Sequence, residues 1–230
     1  MLFRSGTASP TAPTGWTQVS KVNKSINGGD DHSGSVTFVV WKRTAGSSEP
    51  SSWTASYTGS GTPLMTQAVA YRNCDTAANQ FIDYDASTGT SDTITTPTIT
   101  NTDSAAWRVS AFTFTTPFGD GTTSNEVKER ADNSTDVGAH PDVQIGVYDS
   151  NGPVSTGNHS RRGETSSTYD VWASACWIGF LKPATAASPP GNETERADGG
   201  AAASSNALTL GVYDSNDEAA TGSQIGRAHV

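Results

Sequence analysis

Histidines and paired carboxylates are the side chains best placed to move protons near neutral pH, so they come first in this 230-residue chain. His32 lies in a Gly-Gly-Asp-Asp-His-Ser-Gly turn, His140 precedes Pro141 in a loop, and His159 falls in a hairpin return. Each reads as a surface loop residue rather than a catalytic base. Ser and Asp are so abundant that candidate partners for a Ser-His-Asp triad carry no information. Asp83 and Asp85 form a carboxylate pair that would share one face of a strand, an arrangement open to glycoside hydrolysis. A solvated strand edge leading into the turn at 86–91 is the preferred reading. Asp83, Asp85 and Ser87 also echo the start of a calcium loop, but Gly89 is one place late and the closing Glu is absent. Asp214-Ser215-Asn216-Asp217-Glu218 is acidic enough for a cation. Its counterpart Asp149-Ser150-Asn151-Gly152-Pro153 lacks the last two acids, and a turn explains both. No GxSxG, HExxH, phosphate-binding loop or dinucleotide fingerprint is present. The expectation is a protein that is not an enzyme, with no catalytic, cofactor-binding or metal residue to assign.

Aromatic side chains offer a second kind of chemistry, because flat rings stack on sugar faces. Trp53 and Tyr57 would share a strand face beside Gly/Ser-rich turns, although aromatics on sandwich strands more often fill the core. Trp16, Trp41, Trp107 and Trp172 recur near strand starts or ends and are assigned to packing. Cys74 and Cys176 belong to no CxxC and have no His at zinc-ligand spacing, so two free thiols are expected. The net charge of −9 disfavours nucleic acid and anionic membrane as partners. Arg161-Arg162, as dense a basic group as the chain has, is followed two residues on by Glu164. The longest apolar run, 171–181, is too short to span a bilayer, and Met1-Leu2-Phe3-Arg4 leads into polar residues rather than the apolar core of a signal peptide.

The elements that must carry these residues are strands. Hydrophobic residues make up only 33% of the chain, yet the aromatic residues fall in short β-branched runs, which points to several thin β layers. Strands are expected over 35–41, 52–58, 67–71, 107–115, 143–148, 171–182 and 207–213. The run at 35–41 is apolar nearly throughout, as in a strand covered on both faces. In 52–58, Trp53, Ala55 and Tyr57 alternate with Thr54, Ser56 and Thr58. In 107–115, Trp107, Val109 and Ala111 alternate with Arg108, Ser110 and Phe112. Pro97 in the middle of 94–100 marks an edge strand or a bulge. Gly119-Asp120-Gly121 and Ser150-Asn151-Gly152 read as turns that separate strands. The fold class is all-β, an antiparallel β-sandwich of jelly-roll or Ig-like type.

An internally repeated half-unit is the strongest internal signal. Glu129-Arg130-Ala131-Asp132 returns 66 residues later as Glu195-Arg196-Ala197-Asp198. Gly146-Val147-Tyr148-Asp149-Ser150-Asn151 and Thr156-Gly157 each return 65 residues later. A fainter copy begins at Pro13-Thr14-Gly15-Trp16 and runs to Val40-Trp41-Lys42. The chain divides into a β-sandwich domain over 1–184, lacking its first strand, and a truncated half-unit over 185–224, in which 125–157 is repeated at 192–222. The Ala, Thr, Ser and Pro residues of 183–191 form the joint. Ile225-Gly226-Arg227-Ala228-His229-Val230 match no part of the repeat and spell the translation of a sequencing-adapter oligonucleotide, so His229 carries no weight.

Pro13-Thr14-Gly15-Trp16-Thr17, Val39-Val40-Trp41-Lys42-Arg43-Thr44-Ala45-Gly46, Glu49-Pro50, the stretch 68–73 and Glu129 to Asp132 give the chain a family likeness. It resembles β-sandwich proteins of tailed bacteriophages and prophages, of the tail-fibre, minor tail and other virion-associated kinds. The resemblance implies a structural or adhesive part of the virion exterior, made in the host cytoplasm, with no cofactor. Its partners would be other virion proteins or a bacterial surface glycan, and it could form a homo-oligomer. Unpaired cysteines fit folding in a reducing cytoplasm. The alternative is a secreted, extracellular bacterial carbohydrate-binding or adhesin module.

Overall fold

The protein is described here from a computed structural model. It covers residues 2–4, 10–27, 33–46, 48–57, 64–71, 74–75, 81–116, 122–124, 128–134, 142–165, 171–184, 197–199 and 207–211. Among these residues every regular element is a strand. The first six are β1 (Leu2–Arg4), β2 (Pro10–Thr11), β3 (Thr17–Asn27), β4 (Ser33–Lys42), β5 (Ser52–Tyr57) and β6 (Leu64–Ala68). Next come β7 (Phe81–Gly89), β8 (Thr93–Thr95), β9 (Ile99–Asn101), β10 (Trp107–Thr116), β11 (Thr122–Ser124) and β12 (Lys128–Ser134). The last are β13 (Asp142–Pro153), β14 (Gly157–His159), β15 (Arg162–Thr165), β16 (Ala173–Leu181), β17 (Ala197–Gly199) and β18 (Ala207–Gly211).

All the pairings are antiparallel, and two five-stranded sheets carry the architecture. One runs β12-β13-β10-β16-β7, the other β17-β6-β1-β4-β3. They stack through an apolar layer in which Val36 and Phe38 of β4 meet Trp107, Val109 and Ala111 of β10. Val143, Ile145, Ala173, Ala175 and Trp177 complete that layer from β13 and β16. The all-β sandwich expected from sequence is therefore what the chain forms.

The alternation seen at 107–115 does not leave one face wet. All ten residues of β10 and all nine of β16 are buried, because small sheets cover the face turned away from β4. Three-stranded β11-β15-β8 and two-stranded β14-β9 form this third layer. Beneath them Phe112, Phe114, Tyr148, Cys176 and Ile94 make one cluster, and Ile99, Ala106, Ile178 and Phe180 another. The approach is close. A Cβ on Gly163 of β15 would fall inside the Phe112 ring, so only glycine lets this backbone lie flat on it.

Three sequence readings need adjustment. The strand expected at 67–71 is observed as Leu64–Ala68. The stretch 94–100, read as one edge strand or a bulge, divides around Pro97 into β8 and β9, which join different sheets. Ser150-Asn151-Gly152 does not separate strands, because β13 runs through it to Pro153. The register passes from Trp107↔Pro153 to Val109↔Asp149, so three residues of β13 stand opposite Arg108 as a bulge. The turn chemistry is still there, for Asn151 takes φ +49°. Asp149 Oδ1 accepts from the Asn151 amide at 2.7 Å, and Ser150 Oγ accepts from the Arg108 amide at 3.1 Å. Such side-chain bonds give the backbone its kink without reversing the chain.

The two copies of the half-unit pair differently where they can be compared. In the first copy β12 pairs with β13. In the second, β17 pairs with β6 and β18 with β5. Val212 and the rest of 212–230 lie outside the described residues, as does Gly119-Asp120-Gly121.

Candidate functional site

Of the residues singled out for chemistry, His32, His140, His229 and 214–218 lie outside the described residues. Asp83 lies on β7, but its side chain is not described. Asp85 is exposed, and its Oδ1 accepts from the Ala86 amide at 2.7 Å. Ser87 turns inward, with Oγ 3.1 Å from Cys176 Sγ. No cluster of three metal-binding side chains occurs among the described residues.

Neither cysteine forms a disulfide. Burial pushes the Cys74 thiol up to about 11. Burial also raises Cys176, and the Ser87 hydrogen bond opposes that shift. Thiolates are therefore disfavoured, and neither residue has the electropositive setting of a reactive cysteine.

Of the aromatic pair expected on β5, the structure describes the ring of Trp53. Trp53 is half-buried on β5, and its partner is Trp16, at 5.7 Å between centroids and 82° between planes. The side chain of Tyr57 is not described. Trp16 is delivered by a tight turn in which its amide donates to the Pro13 carbonyl at 3.0 Å. Gly15 has φ +82°, the value a type II turn demands at its third position. A Cβ there would also meet Arg43 Nη1, the far end of a flexible side chain that can move aside, so it is the positive φ that favours glycine.

Arg43 is the tie between the turn and the segment after β4. Its Nη1 donates to the Thr14 carbonyl at 3.3 Å, while Nε and Nη2 both reach Glu49 Oε2, at 3.0 and 2.9 Å. Glu49 Oε1 accepts in turn from the Gly46 amide. The partly buried guanidinium thus joins two loops through one carboxylate. The turn that carries Trp16 to Trp53 is thus tied through the Thr14 carbonyl to the Arg43–Glu49 ion pair. The Pro-Thr-Gly-Trp and Arg43 to Glu49 motifs were visible in the sequence. That Trp16 meets Trp53 was not, since nothing local encodes a contact between distant turns.

A second polar group lies under the third layer. Buried Arg108 donates from Nη1 to His159 Nδ1 at 2.8 Å, and His159 Nε2 reaches the Ser155 carbonyl at 2.9 Å. His159 also packs edge-on against Phe180 at 5.3 Å. The imidazole expected on a free surface loop is thus held by a core strand.

No known protein family, curated protein or solved structure matches this chain.

Proposed function

We propose that this protein is a structural and adhesive component of the exterior of a tailed-phage virion, with no chemistry of its own. One observation carries the reading: the most distinctive motif residues are spent on holding backbone in place. Gly15 makes a turn, Arg43 and Glu49 tie that turn to the next loop, and Asp149, Ser150 and Asn151 shape a bulge. A chain that invests its motifs this way is built to be stiff and to present a surface. Within it, the Trp16–Trp53 pair with Arg43 and Glu49 is the patch best suited to a bacterial surface glycan. A secreted bacterial adhesin would use the same patch, so location separates the two readings.

The test has two arms. Peptides of the protein should band with purified particles from a lysed host culture. Their presence only in the secreted fraction of uninfected cells would overturn the virion assignment. The recombinant chain should bind host cells, and binding should survive protease but fall after periodate treatment of the cells. Trp53→Ala that folds normally and binds equally well would remove the patch from the account.

A further inference from the structure

On one flank of the sandwich both large sheets end in a long strand. Among the described residues β7, of nine residues, pairs only with β16, and β3, of eleven, pairs only with β4. The two end strands lie against each other across the apolar layer. They also run the same way. Lys42, paired with Thr17 at the start of β3, holds its Nζ 5.9 Å over the ring of Phe81 at the start of β7. A strand paired on one side turns a row of amide and carbonyl groups outward, which is a template for another strand.

The side chains on these two strands sort in matching ways. Towards the apolar layer β7 shows Phe81 and Ala86, and β3 shows Val19 and Val22, all half-buried. Tyr84 sits against Phe81 at 5.8 Å between ring centroids. At 45% it is the one large hydrophobic side chain left exposed among the described residues. The outward faces carry charge. Asp85 is exposed on the face of β7 that Ser87 shares, and Lys21 is exposed on β3 beside the inward Val22. Each strand has one sign only, with Asp83 and Asp85 on β7 and Lys21 and Lys24 on β3.

We propose that this flank is where two copies of the chain join, β7 of each adding beside β3 of the other. A two-fold axis along the strands, midway between the sheets, makes this exchange and gives an isologous contact. It brings the core-side faces into line, so that Tyr84 of one copy comes beside the valine face of β3 in the other. It also puts Asp85 and Lys21 on one outer face. The other two-fold arrangement, about the sheet normal, pairs β7 with β7 and β3 with β3. Those ladders would be antiparallel, the slightly stronger kind. They would also set carboxylate against carboxylate and ammonium against ammonium, which is destabilising across a ladder. The charges therefore select the exchange.

Sedimentation equilibrium of the full chain at neutral pH is the first test. A dimer should form at submillimolar concentration and weaken with added salt. A monomer throughout that range, or an assembly that keeps growing beyond two, would overturn the proposal. Charge reversal is the second test. Asp85→Lys alone and Lys21→Glu alone should each dimerise about tenfold more weakly, because either change makes both ladders repulsive. An equal mixture of the two folded variants should regain the natural affinity, since each altered strand then meets its complement. Failure of the mixture to do so would sink the exchange, as would tighter association of Asp85→Lys alone, the mark of β7 pairing with itself.

Discussion

The central sheet has two covers, and they are made differently. Towards β4 the contact is one broad apolar layer, from Val36 and Phe38 across to Trp177 and Leu181. On the opposite face the cover consists of strands three or four residues long, fastened by polar pins. Gln144 takes a 2.7 Å bond from Thr165 and gives one to Thr116 at 3.2 Å. Asn101 donates to the carbonyls of Val154 and Ser155, Thr96 Oγ1 accepts from the Arg161 amide, and Arg108 holds His159. A long strand can bury enough apolar area to stay in place through the hydrophobic effect alone, at about 25 cal/mol per Å². A three-residue strand cannot, so direction-specific bonds make up the difference. The apolar layer should tolerate volume-conserving exchanges. The pinned one should be sensitive to single polar atoms.

The largest effect is expected where the two covers share a strand. Phe112→Ala should cost about 3–5 kcal/mol of unfolding free energy in denaturant titration. A loss below about 1 kcal/mol would mean that the pinned cover is not a working part of the core. Gly163→Ala drives a methyl into the Phe112 ring and should cost about 1–3 kcal/mol. The same change in a Phe112→Leu background should cost less, and strict additivity would show that the close approach is not what matters. Thr165→Val keeps the volume and deletes one donor to Gln144, for about 1 kcal/mol. Exchange should report that loss as local opening of β15, not of β3 or β4.

The smallest effect concerns the thiols. Both are raised on folding, Cys74 from 9.0 to about 11. In the unfolded chain they ionise first, so the folded state binds more protons between pH 9 and 11. Stability should be unaffected below pH 9 and decline as pH rises through that window. Cys74→Ser should flatten part of the decline. A rise in stability over the same range would contradict the burial on which the shift depends.

The apolar cover was legible in the sequence, and the pinned one only as the interrupted stretch 94–100. The strands at 35–41 and 107–115 span several side-chain periods, enough for alternation and β-branched content to register. β11, β14 and β15 span too few periods for that, and their neighbours are set by tertiary contacts. Ser150-Asn151-Gly152 shows the limit in another way. Its residues dictate a positive φ and side-chain bonds to the backbone, but whether the chain turns back or bulges depends on what runs alongside. Here β10 runs alongside, and the chain goes on. At the candidate site the local pieces were readable, the Pro13-Thr14-Gly15-Trp16 motif and the strand face that Trp53 shares with Ala55. Their meeting needed the fold.

The position of β10 has a consequence for how the molecule is made. Its two neighbours are β13, which ends at Pro153, and β16, which ends at Leu181. Chain emerging from the ribosome past Thr116 holds the central strand with neither neighbour available. Synthesis to Pro153 supplies one side, and the other stays open until Leu181 has cleared the exit tunnel. Pairings this distant in sequence must close long loops before any contact rewards them. The sheet therefore completes late and from the middle outward, and during that interval the unfinished edge of β10 is the part of the nascent chain most in need of shielding from its neighbours.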